Sequence, residues 1–394
     1  MQLDLPPSLP EPDAHSASHS ERVAAFIRGR ISGAGGDISF AEYMQHALYA
    51  PGLGYYAAGA TKFGEAGDFI TAPEVSSVFG RIVARQCAEV LTQIDDGEIL
   101  EYGAGSGKLA VDILGCLAEL DALPSAYRIL EVSADLRERQ EECLRQHAPD
   151  LAHLVTWLSA PPDSIHGVVI ANEVLDALPV ERFVRRDEGV KQLRVQAGRH
   201  GLEYTERPAP ERLALEVEKI ERDIGEQLPD GYVSDVCIAL PDWIAQVSGS
   251  LREGVVLLFD YGVSRREYYA SERSDGWLRC HYRHHAHNDP LILPGIQDLT
   301  AWVDFTSVAV AAAAAGFDVA GFSTQAQFLM AGGLDAEMQG FEKLSLEGQL
   351  ELSRQIKTLT LPGEMGEHFK CMALRKGSST TPSAFDRADR THTL

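Results

Sequence analysis

The chain has 394 residues, 45% of them hydrophobic and 24% charged, with a formal net charge of −23. That length and balance suit a globular protein with a large core, built as one domain with additions or as two. The acidic surplus argues against a general nucleic-acid binder, which needs clustered Lys and Arg against phosphates, and fits a cationic substrate better. Six cysteines lie scattered without a C-x-x-C pair, which reads as free thiols in a reducing compartment and not as a disulfide frame or metal site. No run reaches the length of a membrane span. The N-terminus, MQLDLPPSLPEPDAHS, has early acids and prolines. It lacks the apolar stretch of a secretory signal and the Arg-rich character of a transit peptide, so the expected location is the cytoplasm.

Residues 1–17 are expected to be disordered, and 18–93 to form an N-terminal helical and lid region. Ser18-His-Ser-Glu21 and Ser39-Phe-Ala-Glu42 each read as a capping box that opens a helix. A glycine-rich loop, APGLGYY at 50–56, follows. Next comes GDFITAPE at 67–74, dense in turn and capping residues, a candidate lid that would bring Asp68, Pro73 and Glu74 to a cofactor. Pro73 suits the first turn of a helix running to Gln93.

Residues 94–179 read as the first half of an α/β core. Strands near 98–102, 127–132, 153–157 and 167–171, with helices between them, predict a parallel, doubly wound sheet. The first strand runs into a glycine turn, EILEYGAGSG at 98–107. Gly103, Gly105 and Gly107, with Ala104 among them, permit positive φ and let a ligand lie on the backbone. Glu101 closes this strand and Glu131 closes the next. An acid, a glycine turn and a second acid after the following strand form the layout of a nucleotide or nucleoside pocket. The spacing alone does not separate NAD from S-adenosylmethionine. The glutamate before the glycines favours S-adenosylmethionine, whose amino group and sulfonium suit nearby acids, while Glu131 would accept hydrogen bonds from ribose hydroxyls.

The fourth strand ends in ANEVLDALP at 171–179, at the strand end where ligands sit in such sheets. Asn172 and Glu173, with Asp176 three residues on, can orient a target nitrogen and help remove its proton, which makes them the catalytic candidates. The competing reading is a helix N-cap with acids that favour the dipole. Polar alternating segments and then helices over 180–250 suggest an inserted cap or substrate module. The second half of the core, 251–376, holds GVVLLFDYG at 254–262, GFDVAGFS at 316–323 and HFKCMALRK at 368–376; the last two would close the sheet as an antiparallel edge pair. Asp260, His281 and His284 are substrate-side candidates. The histidine-rich segment HYRHHAHNDP at 281–290 lacks the spacing of a zinc site and reads as a loop that binds an anion or packs a lid. Residues 377–394 are expected to be disordered.

Nine segments, among them GDFITAPEVSSVFG at 67–80, EYGAGSGKLAVDIL at 101–114, ANEVLDALPVERF at 171–183 and HYRHHAHNDPLILPGIQDLTAWVDF at 281–305, resemble the MidA-like class I S-adenosylmethionine-dependent methyltransferases. The resemblance covers residues 20–376. It implies a Rossmann-like, seven-stranded doubly wound sheet with an N-terminal helical extension and an inserted cap module. It also implies S-adenosyl-L-methionine held by Gly103, Gly105 and Glu131. Through a mitochondrial member needed for assembly of respiratory complex I, it further implies methyl transfer to an arginine of a protein, with a complex I subunit as the candidate partner. The missing transit peptide points to a bacterial member. A non-catalytic assembly factor and a small-molecule methyltransferase are the alternative readings.

Overall fold

A computed structural model describes residues 9–57 and 71–394. The chain separates into two compact units. One takes the described N-terminal residues with Asp176–Leu240 and Ser264–Asp304; the other takes the residues up to Leu175 that follow Ile70, together with Pro241–Val263 and Phe305–Leu394.

The second unit is built on seven strands: β1 (Glu98–Tyr102), β2 (Tyr127–Leu130), β3 (Val155–Leu158), β4 (Ile165–Asn172), β5 (Leu251–Val263), β6 (Asp318–Thr324) and β7 (Phe369–Lys376). Their order is β3-β2-β1-β4-β5-β7-β6. The ladders from β3 to β5 are parallel, and β7 runs antiparallel to both β5 and β6. The central strands read as unbroken apolar runs, with Val168, Val169 and Ile170 on β4 and Val255 to Phe259 on β5 all buried. Such runs belong to strands covered on both faces. Helix α1 (Ser77–Leu91) supplies one cover, burying Val78, Phe79, Ile82, Val83, Cys87 and Val90 along one stripe. Phe79 and Phe328 each meet Phe259 of β5 edge-on, at 5.3 and 5.2 Å between ring centroids. Helices α2 (Lys108–Glu119) and α3 (Ala134–His147) follow β1 and β2. The strand order reverses between β1 and β4, and the crevice outside their carboxyl ends is where a ligand fits.

Two glycines are required for β1, β4 and β5 to pair. Gly167 and Gly254 stand opposite each other across the β4–β5 ladder with φ of +136° and +139°. A Cβ on Gly254 would overlap the Gly167 carbonyl oxygen, and one on Gly167 would overlap that of Glu98.

The first unit holds an antiparallel sheet. Gly189–Ala197 pairs with Glu181–Arg186 through its first half, with Asp37–Ser39 through its second, and with Leu202–Pro208 along its other edge. Val233–Val236 extends the sheet beside Glu181–Arg186. A separate core of Val23, Ile27, Phe40, Tyr43, Leu48, Val195, Cys280 and Leu299 packs within the unit.

Several boundaries differ from those expected. The first helix is Ala14–Gly33 and is capped by Asp13, whose carboxylate accepts from His15 and Ser16 N–H at 3.0 and 2.9 Å. Ser18 therefore lies inside the helix and not at its cap, and residues 14–17 are helical. The Ser39 capping box is present, with both of its bonds. The helix expected from Pro73 to Gln93 is broken at Ser76, whose extended backbone separates the single turn Ala72–Val75 from α1. The strand Asp37–Ser39 pairs with Gly189–Ala197, so residues 9–57 and 180–240 belong to one unit, while 71–93 and 241–250 belong to the other. Residues 377–394, expected to be disordered, carry the buried Ala384 and Phe385; Ser383 donates from N–H and Oγ to the Glu89 carboxylate at 2.8 and 2.6 Å. Among the described residues no helix is long and apolar enough to cross a membrane.

Candidate active site

At the end of β1 the chain turns through Gly103, Gly105 and Gly107, with φ of +62°, +54° and +86°. These are left-handed conformations that side chains with a Cβ resist, so three of them in five residues favour glycine. Gly107 then caps α2, whose first N–H groups face the crevice end of the sheet. A Cβ at Gly103 would meet only Val174 Cγ2, at 3.6 Å.

Glu101, the penultimate residue of β1, is buried and accepts a 2.7 Å hydrogen bond from the Tyr127 hydroxyl on β2. Burial, helped by the repulsion of Glu131, pushes its carboxyl up to about 7 against the pull of Tyr127. Glu131, just past β2, is buried as well. Its Oε1 accepts from Ser133 N–H at 2.9 Å and its Oε2 from the Gln140 amide at 3.2 Å. Burial raises this carboxyl, while the Ser133 N–H and the Gln140 amide pull it back. The next residue, Val132, is 76% exposed, an apolar face beside the acid. Glu74, in the single turn before α1, is tied to the glycine turn: its carboxylate accepts from Ser106 Oγ and its carbonyl from Lys108 Nζ at 3.3 Å. Pro73 beside it is buried.

At the end of β4 the backbone carries an outlier. Glu173 has φ +53°, uncommon for a residue with a side chain and a pointer to function where it is held firmly. It is held by a 2.9 Å bond from its N–H to the Phe259 carbonyl of β5. Asn172 Nδ2 donates to Glu173 Oε1 at 3.2 Å, and Asn172 Oδ1 is buried without a hydrogen-bond partner among the described residues. Asp260, within β5 and three residues before its end, is buried, with its carboxylate accepting from Leu175 and Tyr261 N–H, each at 2.9 Å. That carboxylate shapes the turn after β4.

The second unit thus contains Glu74, Glu101, the glycine turn, Glu131, Asn172, Glu173 and Asp260. Asp176, His281 and His284 belong to the first unit. The Asp176 carbonyl accepts from Ala301 N–H at 2.9 Å. His281 and His284 lie in a β-hairpin and not in the expected loop: Leu278–Tyr282 pairs with His285–His287, and Arg283 and His284 make the turn with φ of +48° and +64°. His281 lies mid-strand, where burial lowers its basicity; His284 is exposed at the tip. Asp68 falls outside the described residues. Tyr127, Val132 and Gln140 escape a reading of the sequence. Only Gln140 leaves a trace, as a polar residue on the stripe Leu136, Gln140, Leu144 that α3 buries.

A parallel sheet ordered 3-2-1-4-5-7-6 with β7 reversed, an acid and a glycine turn after β1, and an acid after β2 define a class I methyltransferase fold. The comparisons with known proteins agree. A family model for S-adenosyl-L-methionine-dependent methyltransferases matches residues 82–323. A crystal structure of a Burkholderia thailandensis protein bound to S-adenosyl-homocysteine superposes with a TM-score of 0.92 at 38% identity, over 98% of this chain and all of that one. The protein arginine methyltransferase NDUFAF7, mitochondrial, of Danio rerio is 29% identical over 90% of this chain and 87% of its own length. Its Homo sapiens counterpart is 28% identical over 86% and 80%. The chain belongs to the MidA-like family of S-adenosyl-L-methionine-dependent methyltransferases, and S-adenosyl-L-methionine is its cofactor. The residues fit that group: an open glycine cradle, two buried acids and an exposed apolar face stand around one turn.

Proposed function

We propose that the enzyme methylates an arginine side chain of a protein, with Asn172 and Glu173 acting on the guanidinium. The observation that carries this is the end of β4, where Glu173 takes a left-handed backbone and Asn172 carries a buried amide oxygen with no hydrogen-bond partner among the described residues. The names of the curated relatives support the choice of acceptor, and the family resemblance makes a respiratory complex I subunit the first candidate. Glu101, Ala104 and the three glycines with Glu131, and Glu74 and Pro73 beside the turn, would hold the cofactor, which supplies an electrophilic methyl group on a sulfonium sulfur. Asp68 would join them.

A guanidinium is a poor nucleophile because its charge is spread over three nitrogens. A carboxylate beside one edge draws the positive charge toward the nitrogens it contacts and leaves more electron density on the remaining one. Glu173 would do this, and Asn172 Oδ1 would accept an N–H bond that fixes the attacking nitrogen in line. The same carboxylate can take the proton the nitrogen sheds. Asp260 is proposed on the acceptor side.

The test combines labelled S-adenosyl-L-methionine, cell lysate and the enzyme, with mass-spectrometric identification of the labelled residue. Label on arginine supports the reading, and label on a small molecule or another residue type overturns it. Glu173→Gln should lower transfer by about 10²-fold or more with S-adenosylhomocysteine affinity unchanged. Full transfer by that variant would remove Glu173 from the mechanism.

A further inference from the structure

We infer that Gln140 is a positioning residue that locks the glycine turn to the acid after β2, so that the cofactor meets both in one fixed geometry. This rests on the reading that Glu131 receives the ribose. Gln140 has no exposed surface, and it occupies a position on α3 where Leu136 and Leu144 are the neighbouring buried residues. A polar group is costly there unless every atom is bonded, and every atom is. The amide nitrogen donates to the Gly105 carbonyl at 3.0 Å and to Glu131 Oε2 at 3.2 Å. The amide oxygen accepts from the indole N–H of Trp157 on β3 at 2.9 Å.

Three properties make this a locking arrangement and not ordinary packing. Trp157 can only donate, so it dictates which end of the amide is oxygen and turns both donor hydrogens toward the site. Each of the three bonds reaches a different segment: the turn after β1, the residue after β2, and β3. The approach also has no slack, since a Cβ on Gly107 would lie 3.1 Å from Gln140 Cα; the glycine lets the α3 backbone press on the turn. The Ser133 N–H and the Gln140 amide together set the rotation of the Glu131 carboxylate. A leucine at 140 would suit the apolar stripe, yet it would strip one donor from Glu131 and leave the Gly105 carbonyl and the Trp157 N–H unpaired.

The test is calorimetric titration of the full-length enzyme with S-adenosylhomocysteine, for wild type, Gln140→Leu, Trp157→Phe, the double variant and Glu131→Gln, with thermal melts without ligand alongside. Gln140→Leu should weaken binding about tenfold or more, the loss expected for a hydrogen bond to a charged group. Trp157→Phe frees the amide to rotate and should give a smaller loss. The double variant should bind no more weakly than Gln140→Leu, because both changes break one network. A Gln140→Leu variant that melts lower but binds like wild type would reduce Gln140 to packing and overturn the inference. If that variant does not fold, Trp157→Phe decides: unchanged affinity overturns the inference and weakened affinity upholds it. Glu131→Gln separates the two layers. Unchanged binding there overturns the ribose reading and the inference with it, whereas weakened binding there with intact binding in Gln140→Leu overturns the inference alone.

Discussion

Replacing Glu101 by glutamine separates what a buried carboxylate costs the fold from what it does for the ligand. The Glu101 carboxyl is moved from its ordinary 4.5 to about 7, chiefly by burial. The folded chain therefore keeps this proton over a range where the unfolded chain has lost it. Folding takes up a proton between those values, and stability falls as pH rises through that window; below it the group has no effect, and above it the full penalty stands. At about 1.4 kcal/mol per unit, the penalty at pH 8 is about 3 kcal/mol. Glutamine has the same shape, can still accept from the Tyr127 hydroxyl, and carries no charge. In urea denaturation across this range, Glu101→Gln should match wild type near pH 4 and exceed it by about 3 kcal/mol at pH 8. Titration at pH 8 should show the opposite sign for the ligand, with S-adenosylhomocysteine bound more weakly, because on the proposed reading Glu101 holds the cofactor's ammonium. A stability difference that stays constant with pH would refute the burial argument, and unchanged affinity would refute the contact with the cofactor.

Three further substitutions test how the units are built. Gly254→Ala places a Cβ on the Gly167 carbonyl oxygen and should destabilise the second unit by several kcal/mol, on the order of an overpacked core with backbone strain; soluble yield and melting temperature check this, while Gly115→Ala, at a position with open space around its Cβ, should be neutral or stabilising. In the first unit Arg182 pairs with the fully buried Asp235 at 2.9 Å and lies over the Tyr204 ring at 5.5 Å. Arg182→Met leaves a buried charge that, among the described residues, the Trp277 and Leu278 N–H groups still hold, and should cost about 3–5 kcal/mol by denaturation.

The local devices of the site are legible in the sequence. A glycine triplet after an apolar strand has few uses, since its φ values are open to glycine and little else, and Glu101 and Glu131 stand where strand ends put them. The central strands β4 and β5 are legible because continuous apolar runs belong to strands covered on both faces. The Ser39 capping box is also local, and it formed as read.

What the tertiary structure decided are matters of distance along the chain. Asp37–Ser39 pairs with residues 194–196, and no local pattern tells a strand which distant edge it will join. Phe385 is buried by contacts with a core formed far earlier in the chain, so a polar tail proved ordered. The histidine-rich segment pairs as a hairpin through a turn made by Arg283 and His284, residues that seldom take positive φ and so gave no signal. Gln140 shows the division most clearly. In sequence it is a polar interruption of a leucine stripe; only the packing of α3 against the glycine turn brings its amide to Gly105, Glu131 and Trp157 at once. Sequence determined where the glycine turn and the strand-end acids fall, because that depends on backbone freedom and on apolar runs that end in a charge. Which groups orient one another was settled by folding, because a hydrogen bond between segments 35 residues apart exists only once the core has closed around it.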